Sequence, residues 1–214
     1  TLGTGLSSAR QYMGGAADSG TAAYFAGGYA TDLVATVDKF AFSDDSRSTL
    51  GTGLSAARFY VAGAANSGTA AYFAGGREAA DVTTVDKFAF SDDSRTTLGT
   101  GLAAATRGLA GAANSGTAAY FAGGTAASGK VTTVDKFAFS DDSRTTLGTG
   151  LAAAVDQLAG AANSGTAAYF AGGNTATDAV DKFAFSDDSR TTLGTGLSSA
   201  RFGPAGAANS ETLA

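Results

Sequence analysis

This chain has no cysteine, no histidine and no tryptophan, and only one proline, Pro204, in 214 residues. Without Cys there are no disulfides, no thiolate nucleophile and no Cys-ligated zinc. Without His the usual general base, the usual metal ligand and the near-neutral pH switch are all missing. A Ser–His–Asp triad is impossible. No catalytic residue, metal or cofactor is therefore expected, and the chain is not expected to be an enzyme. Positive charge is also scarce: 14 Lys and Arg stand against 19 Asp and Glu, a net charge of −5. That leaves no basic footprint for nucleic acid or anionic membrane. No apolar run approaches the roughly 18 residues needed to span a bilayer, so membrane insertion is not expected. No signal peptide is visible and the chain opens at Thr1, as a processed product or an excised segment would.

Glycine is plentiful, at 31 residues, while hydrophobic residues still make up 44%. That pairing fits short strands joined by tight turns better than it fits disorder. The same stretch is written four times. Gly-Thr-Ala-Ala-Tyr-Phe-Ala-Gly-Gly occurs at Gly20–Gly28, Gly68–Gly76, Gly116–Gly124 and Gly165–Gly173. Val-Asp-Lys-Phe-Ala-Phe-Ser-Asp-Asp-Ser-Arg follows each time, from Val37, Val85, Val134 and Val180. The units are 1–48, 49–96, 97–145 and 146–191, with a partial fifth at 192–214. Repeats of this length build propellers or solenoids in which no unit is stable alone.

In the second unit, Ala62–Ala65 is a short small-residue strand that ends at the turn Asn66-Ser67-Gly68. Thr69–Ala74 reads as a strand stopped by Gly75-Gly76, Thr84–Phe90 as the next, and Thr96–Gly101 as a fourth. Gly and Thr recur too often for a helical stripe. The expected fold is all-β, a propeller of four-stranded blades, with the small-residue strand nearest the axis and Tyr24, Phe25, Phe40, Phe42 and their counterparts in the wedges between blades. The Asp-Asp turns read as turn formers, with Arg47 and its counterparts balancing their charge. The Lys of each Val-Asp-Lys-Phe strand reads as solvated or salt-bridged. The double Gly does not cradle phosphate, since no helix follows it.

The string Tyr72-Phe73-Ala74-Gly75-Gly76, then Val85-Asp86-Lys87-Phe88, Ser91-Asp92-Asp93, Leu98, and Ala57-Arg58 upstream resembles the kelch repeat. It departs at Arg95, near where kelch repeats carry Trp. The resemblance covers essentially the whole chain and implies an interaction module. The copper-oxidase type within that family needs His and Cys ligands, which this chain lacks.

The copies differ chiefly in two windows and are nearly invariant between them. Aligned on Leu6, Leu54, Leu102, Leu151 and Leu197, the first window reads Arg-Gln-Tyr-Met, Arg-Phe-Tyr-Val, Thr-Arg-Gly-Leu, Val-Asp-Gln-Leu and Arg-Phe-Gly-Pro. The second follows the double Gly, at Tyr29–Thr36, Arg77–Thr84, Thr125–Thr133 and Asn174–Ala179. In a four-stranded meander both windows fall at the same end, so variation is expected on one face of a constant scaffold, as on a recognition surface. Drift in exposed loops gives the same pattern, but the opposite turns are equally exposed and are nearly invariant. The candidate ligand-binding residues are Arg10, Tyr12, Tyr29, Asp32, Phe59, Tyr60, Arg77, Glu78, Asp81, Arg107, Lys130, Asp156, Gln157, Asn174, Asp178 and Phe202. Aromatics mixed with planar polar groups suit a glycan or a protein ligand on another surface. Near-identical tandem blades are similar to those of phage tail-fibre and microbial surface-adhesion proteins, which implies an extracellular or virion-surface site. The alternatives are a structural spacer with passive loops and a designed consensus propeller. Such uniform units also invite strand exchange into a homo-oligomer.

Overall fold

The computed structural model describes residues 3–175, 177–201, 203, 204 and 206, and among these there is no helix. Four copies of one four-stranded antiparallel sheet follow one another. The first holds β1 (Gly14–Asp18), β2 (Ala22–Ala26), β3 (Val37–Ala41) and β4 (Arg47–Thr49). The second holds β5 (Ala62–Asn66), β6 (Ala70–Ala74), β7 (Val85–Ala89) and β8 (Arg95–Thr97). In the third, β9 (Ala110–Asn114) and β10 (Ala118–Ala122) are followed by a small hairpin, β11 (Thr125–Ala126) and β12 (Gly129–Lys130). β13 (Val134–Ala138) and β14 (Arg144–Thr146) complete that sheet. The fourth holds β15 (Ala159–Asn163), β16 (Ala167–Ala171), β17 (Val180–Ala184) and β18 (Arg190–Thr192). The outer strands are shorter than the sequence suggests. Leu98 still donates its N–H to Val85, but the chain then bends away at Gly99.

The first strand of each sheet lies beside the first strand of the next, β1 to β5 to β9 to β15. Only glycine fits where they meet. A Cβ placed on Gly63 would run into the carbonyl oxygen of Gly15, one on Gly111 into that of Gly63, and one on Gly160 into that of Gly111. Gly206 stands against Gly160 in the same way. These glycines and their alanine neighbours surround one cavity of about 390 Å³, so the sheets are arrayed about a common axis with small residues innermost.

Alternation along β2, β6, β10 and β16 sends each Tyr to one face of its sheet and the adjacent Phe to the other. Three inter-sheet cores result. One joins Tyr24 to Phe73, Phe88 and Phe90, the next Tyr72 to Phe121, Phe137 and Phe139, and the third Tyr120 to Phe170, Phe183 and Phe185. Each Tyr ring stacks on the last Phe of its set, with centroids 5.1–5.2 Å apart.

Around each Tyr the sheets are also clamped by charge. Tyr24 donates its hydroxyl to Asp93 at 2.8 Å, and Lys39 reaches the same carboxylate at 2.9 Å. Tyr72 and Lys87 meet Asp142, and Tyr120 and Lys136 meet Asp188. The second Asp of the constant turn is therefore a bolt to the preceding sheet, not only a turn former. The first Asp makes the turn, accepting the N–H two residues on, as Asp92 does from Ser94 at 3.0 Å. Arg95 and its counterparts do not balance the turn charge. Arg95 donates instead to the carbonyl of Gly53 at 3.1 Å.

Burial pushes the Tyr24 phenol from 10.0 up to about 12, with Asp93 adding to the rise and Lys39 opposing it. Burial, and then Asp142 or Asp188, moves Tyr72 and Tyr120 in the same direction. A raised folded-state pKa contributes stability that is complete below the unfolded value and lost as pH rises past it. Stability is expected to hold up to about pH 10 and to fall above it, and chemical denaturation at pH 9 and pH 11 checks this. Equal midpoints at the two pH values would mean the phenols are not held neutral by the fold.

Candidate functional site

The two variable windows of each unit are hydrogen-bonded to each other. Gln11 and Tyr29 exchange both backbone bonds, at 3.0 and 2.9 Å. Phe59 pairs with Arg77 and Arg107 with Thr125 in the same way, and Asn174 donates to the Asp156 carbonyl at 2.8 Å. The double Gly sets this up, since both residues are left-handed in every unit. The second Gly N–H then crosses to the next unit, Gly28 to the Arg58 carbonyl and Gly76 to that of Thr106, each at 2.9 Å.

The third residue of the first window is left-handed throughout: Tyr12 (φ 60), Tyr60 (57), Gly108 (65), Gln157 (55) and Gly203 (59). For a residue with a Cβ this conformation costs about 1 kcal/mol or more. Tyr60 donates its backbone N–H to Tyr12 at 2.8 Å, Gly108 to Tyr60 at 3.1 Å and Gln157 to Gly108 at 2.6 Å. A chain of backbone bonds thus links four of these positions, and all five, together with Met13, Leu109, Leu158 and Pro204, line a second cavity of about 370 Å³. Strain of this kind at several equivalent positions is typical of functional surfaces.

Four aromatic rings cluster beside this opening. Tyr12 and Tyr60 lie 4.2 Å apart, Phe59 and Tyr60 4.7 Å, and Tyr12 and Tyr29 each stand 6.1 Å from Phe59. Tyr12 is 42% and Tyr29 40% exposed, unlike the framework tyrosines Tyr24, Tyr72 and Tyr120, which are buried. Burial first, and then the hydrogen bond with Tyr12, push the Tyr60 phenol up to about 12.

The charged candidates pair across neighbouring units. Arg107 meets Asp81 at 2.7 Å, with Arg77 on the same carboxylate at 3.6 Å. Lys130 lies 3.4 Å from Asp156 and donates to the Asn174 carbonyl. Thr125 donates to the other Asp156 oxygen at 2.9 Å, and Gln157 lies on the cavity wall. Asp32, Glu78 and Asp178 sit on the outer loops and are not drawn into the cavity; Phe202 lies outside the described residues.

Arg10 belongs to the scaffold, against the expectation from its place in a variable window. Its guanidinium is wholly enclosed, 2.9 Å from Asp38, and donates to the Phe25 carbonyl. Arg58 repeats this with Asp86, also at 2.9 Å. Burial pushes both carboxyls up, but donors more than reverse it. Ser7 N–H, the Thr49 and Ser7 hydroxyls and Arg10 hold Asp38 below its usual value, as Thr97, Ser55 and Arg58 hold Asp86. This buried Asp recurs in all four sheets but is not visible as a site in the sequence. Gly108, Met13, Leu109 and Leu158 were also missed. Glycine at the third window position in two units, Gly108 and Gly203, was the signal that this position is left-handed.

No family model and no curated protein matches the sequence. Among solved structures, the structure of YjhT is similar, with a TM-score of 0.70 and 16% identity. The match covers 88% of this chain and 66% of that one, so this chain spans just under two thirds of its length. At that identity the likeness concerns the fold.

Proposed function

We propose that the four sheets are blades of a kelch-like β-propeller, and that the chain is a non-catalytic binding module that takes a glycan on its variable face. The double Gly, the buried Asp of the third strand and the axial array support the propeller part of this reading. The ligand part rests on one observation: five variable positions converge on a single opening, and three of them keep a bulky side chain in a strained backbone. The opening, about 370 Å³, falls within the roughly 300–1,000 Å³ of small-ligand sites. That favours a sugar terminus over a flat protein epitope. Tyr12, Phe59 and Tyr60 offer faces for the apolar side of a pyranose, while Gln157 and the Arg107–Asp81 pair supply planar hydrogen-bonding groups. Recognition at another cell or virion surface follows, as in the tail-fibre and adhesion repeats the sequence resembles.

Tyr12→Gly separates this reading from passive loops. Glycine takes φ 60 without strain, so thermal stability should stay level or rise, while glycan-array binding falls by about tenfold or more with the loss of a ring worth roughly 1–2 kcal/mol. A chain with Arg77–Thr84 copied into every post-Gly-Gly window should lose binding as well. Equal binding by all three proteins, or by none, moves the chain to the spacer reading.

A further inference from the structure

We propose that the two outer faces of the sheet series are complementary docking surfaces, and that a second copy of this chain is the partner, joined head to tail. Each of the three internal interfaces sets one Tyr and one Lys from the leading sheet against three Phe and one Asp from the following sheet. The first sheet carries the receiving half of a fourth interface, and among the described residues no Tyr–Lys pair is set against it. Phe25 and Phe40 keep the edge-to-face packing of their counterparts, at 5.8 Å, but are only half-buried, whereas Phe73, Phe88, Phe121, Phe137, Phe170 and Phe183 are buried. Phe42 is 49% exposed, and Asp45 has no side-chain partner among the described residues. A Cβ on Gly15 would meet only the Phe25 ring, where one on Gly63, Gly111 or Gly160 would run into the backbone of the preceding sheet.

The fourth sheet carries the donating half. Tyr169 is half-buried where Tyr24, Tyr72 and Tyr120 are buried, and neither Tyr169 nor Lys182 has a side-chain partner among the described residues. Asp45 of one copy and Lys182 of another are opposite in charge, and the surrounding residues are the same types, in the same register, as at three interfaces already formed. The geometry to be reproduced is Tyr169 hydroxyl to Asp45, Lys182 to Asp45, and the Tyr169 ring on Phe42.

The residues beside the fourth sheet suit an incoming sheet. Leu197–Arg201 repeats Leu6–Arg10 residue for residue, and Gly206 already stands where the innermost strand of an added sheet would run. Arg201 donates only to Ser198 and Ser199 and meets no carboxylate among the described residues, whereas Arg10 has Asp38. An incoming first sheet would therefore exchange its own innermost strand for this one, with its Asp38 passing from Arg10 to Arg201. Such head-to-tail contacts grow until a ring closes, or into a filament.

Charge reversal tests both the partner and the polarity. Sedimentation of the wild-type chain should show association that grows with concentration. Asp45→Lys alone and Lys182→Asp alone should each associate about tenfold more weakly, since each sets like charges together. An equimolar mixture of the two variants should recover association, because Lys at position 45 then faces Asp at position 182. Tyr169→Phe removes one hydroxyl only and should weaken association severalfold without touching the fold. A wild-type chain that stays monomeric at millimolar concentration overturns the proposal. So does association that survives either reversal unchanged, or a mixture no better than its parts.

Discussion

Gly111→Ala is expected to destabilise the protein by about 3 kcal/mol or more, near the upper end for overpacking. The new methyl would meet the carbonyl oxygen of Gly63, with the Phe121 ring 3.2 Å away on the other side. A flexible side chain could turn aside, but this obstacle is backbone. Relief would require β5 and β9 to separate, which opens the core that holds Tyr72, Phe121 and Phe137. Two controls isolate the cause. Gly15→Ala adds the same methyl at the same place in the repeat, where only the Phe25 ring lies at 3.8 Å, and Gly148→Ala adds it in open space. Both should be neutral or stabilise by about 0.4–1 kcal/mol through the unfolded chain. Urea denaturation of the three variants gives the comparison. If Gly111→Ala came within about 1 kcal/mol of the controls, the inner strands would not be in backbone contact.

Asp86→Ala is expected to cost about 3–5 kcal/mol, the scale for removing one partner of a buried ion pair. Arg58 would keep its enclosed guanidinium with no countercharge, and the Ser55 N–H and the Ser55 and Thr97 hydroxyls would lose their acceptor. The reverse change should be much milder. In the third sheet Thr106 stands where Arg58 does in the second, and Asp135 is still satisfied by the Ala103 N–H at 2.8 Å and the Thr146 hydroxyl at 2.5 Å. Arg58→Thr should therefore cost less than half as much as Asp86→Ala, with the carboxylate as the centre of the network. The Asp86 pKa lies below 3.8 in the folded protein. A lowered folded-state value contributes stability that is complete above the unfolded pKa and lost as pH falls through the folded one. Wild-type stability should thus decline below about pH 4, and Asp86→Ala should flatten that decline. Equal costs for Asp86→Ala and Arg58→Thr would mean the carboxylate is not the organising group.

Much of the candidate site was legible in the sequence because near-identical copies expose what varies. That contrast picks out Tyr12, Tyr60 and Gln157, which line one opening, and Phe59, which packs against Tyr60 beside it. Arg10 was picked out by the same contrast and misread. Ser7 and Ser55 vary together with Arg10 and Arg58, becoming Ala103 and Ala152 where the Arg is Thr106 or Val155. Such paired change marks an internal contact.

By itself the sequence determined the repeat, the strands, the turns and the end at which both variable windows lie. These depend on local chemistry: alternation with period two, Gly where φ must be positive, and Asp or Asn where a side chain must close a turn. Only the tertiary structure decided which face each aromatic takes, which carboxylate each Tyr and Lys holds, and which window residues share a wall. Those pairings join groups such as Tyr24 and Asp93, 69 positions apart. Because every unit carries the same residues, no single copy shows whether its Asp serves its own sheet or a neighbour. That is settled by how each sheet stacks on the next.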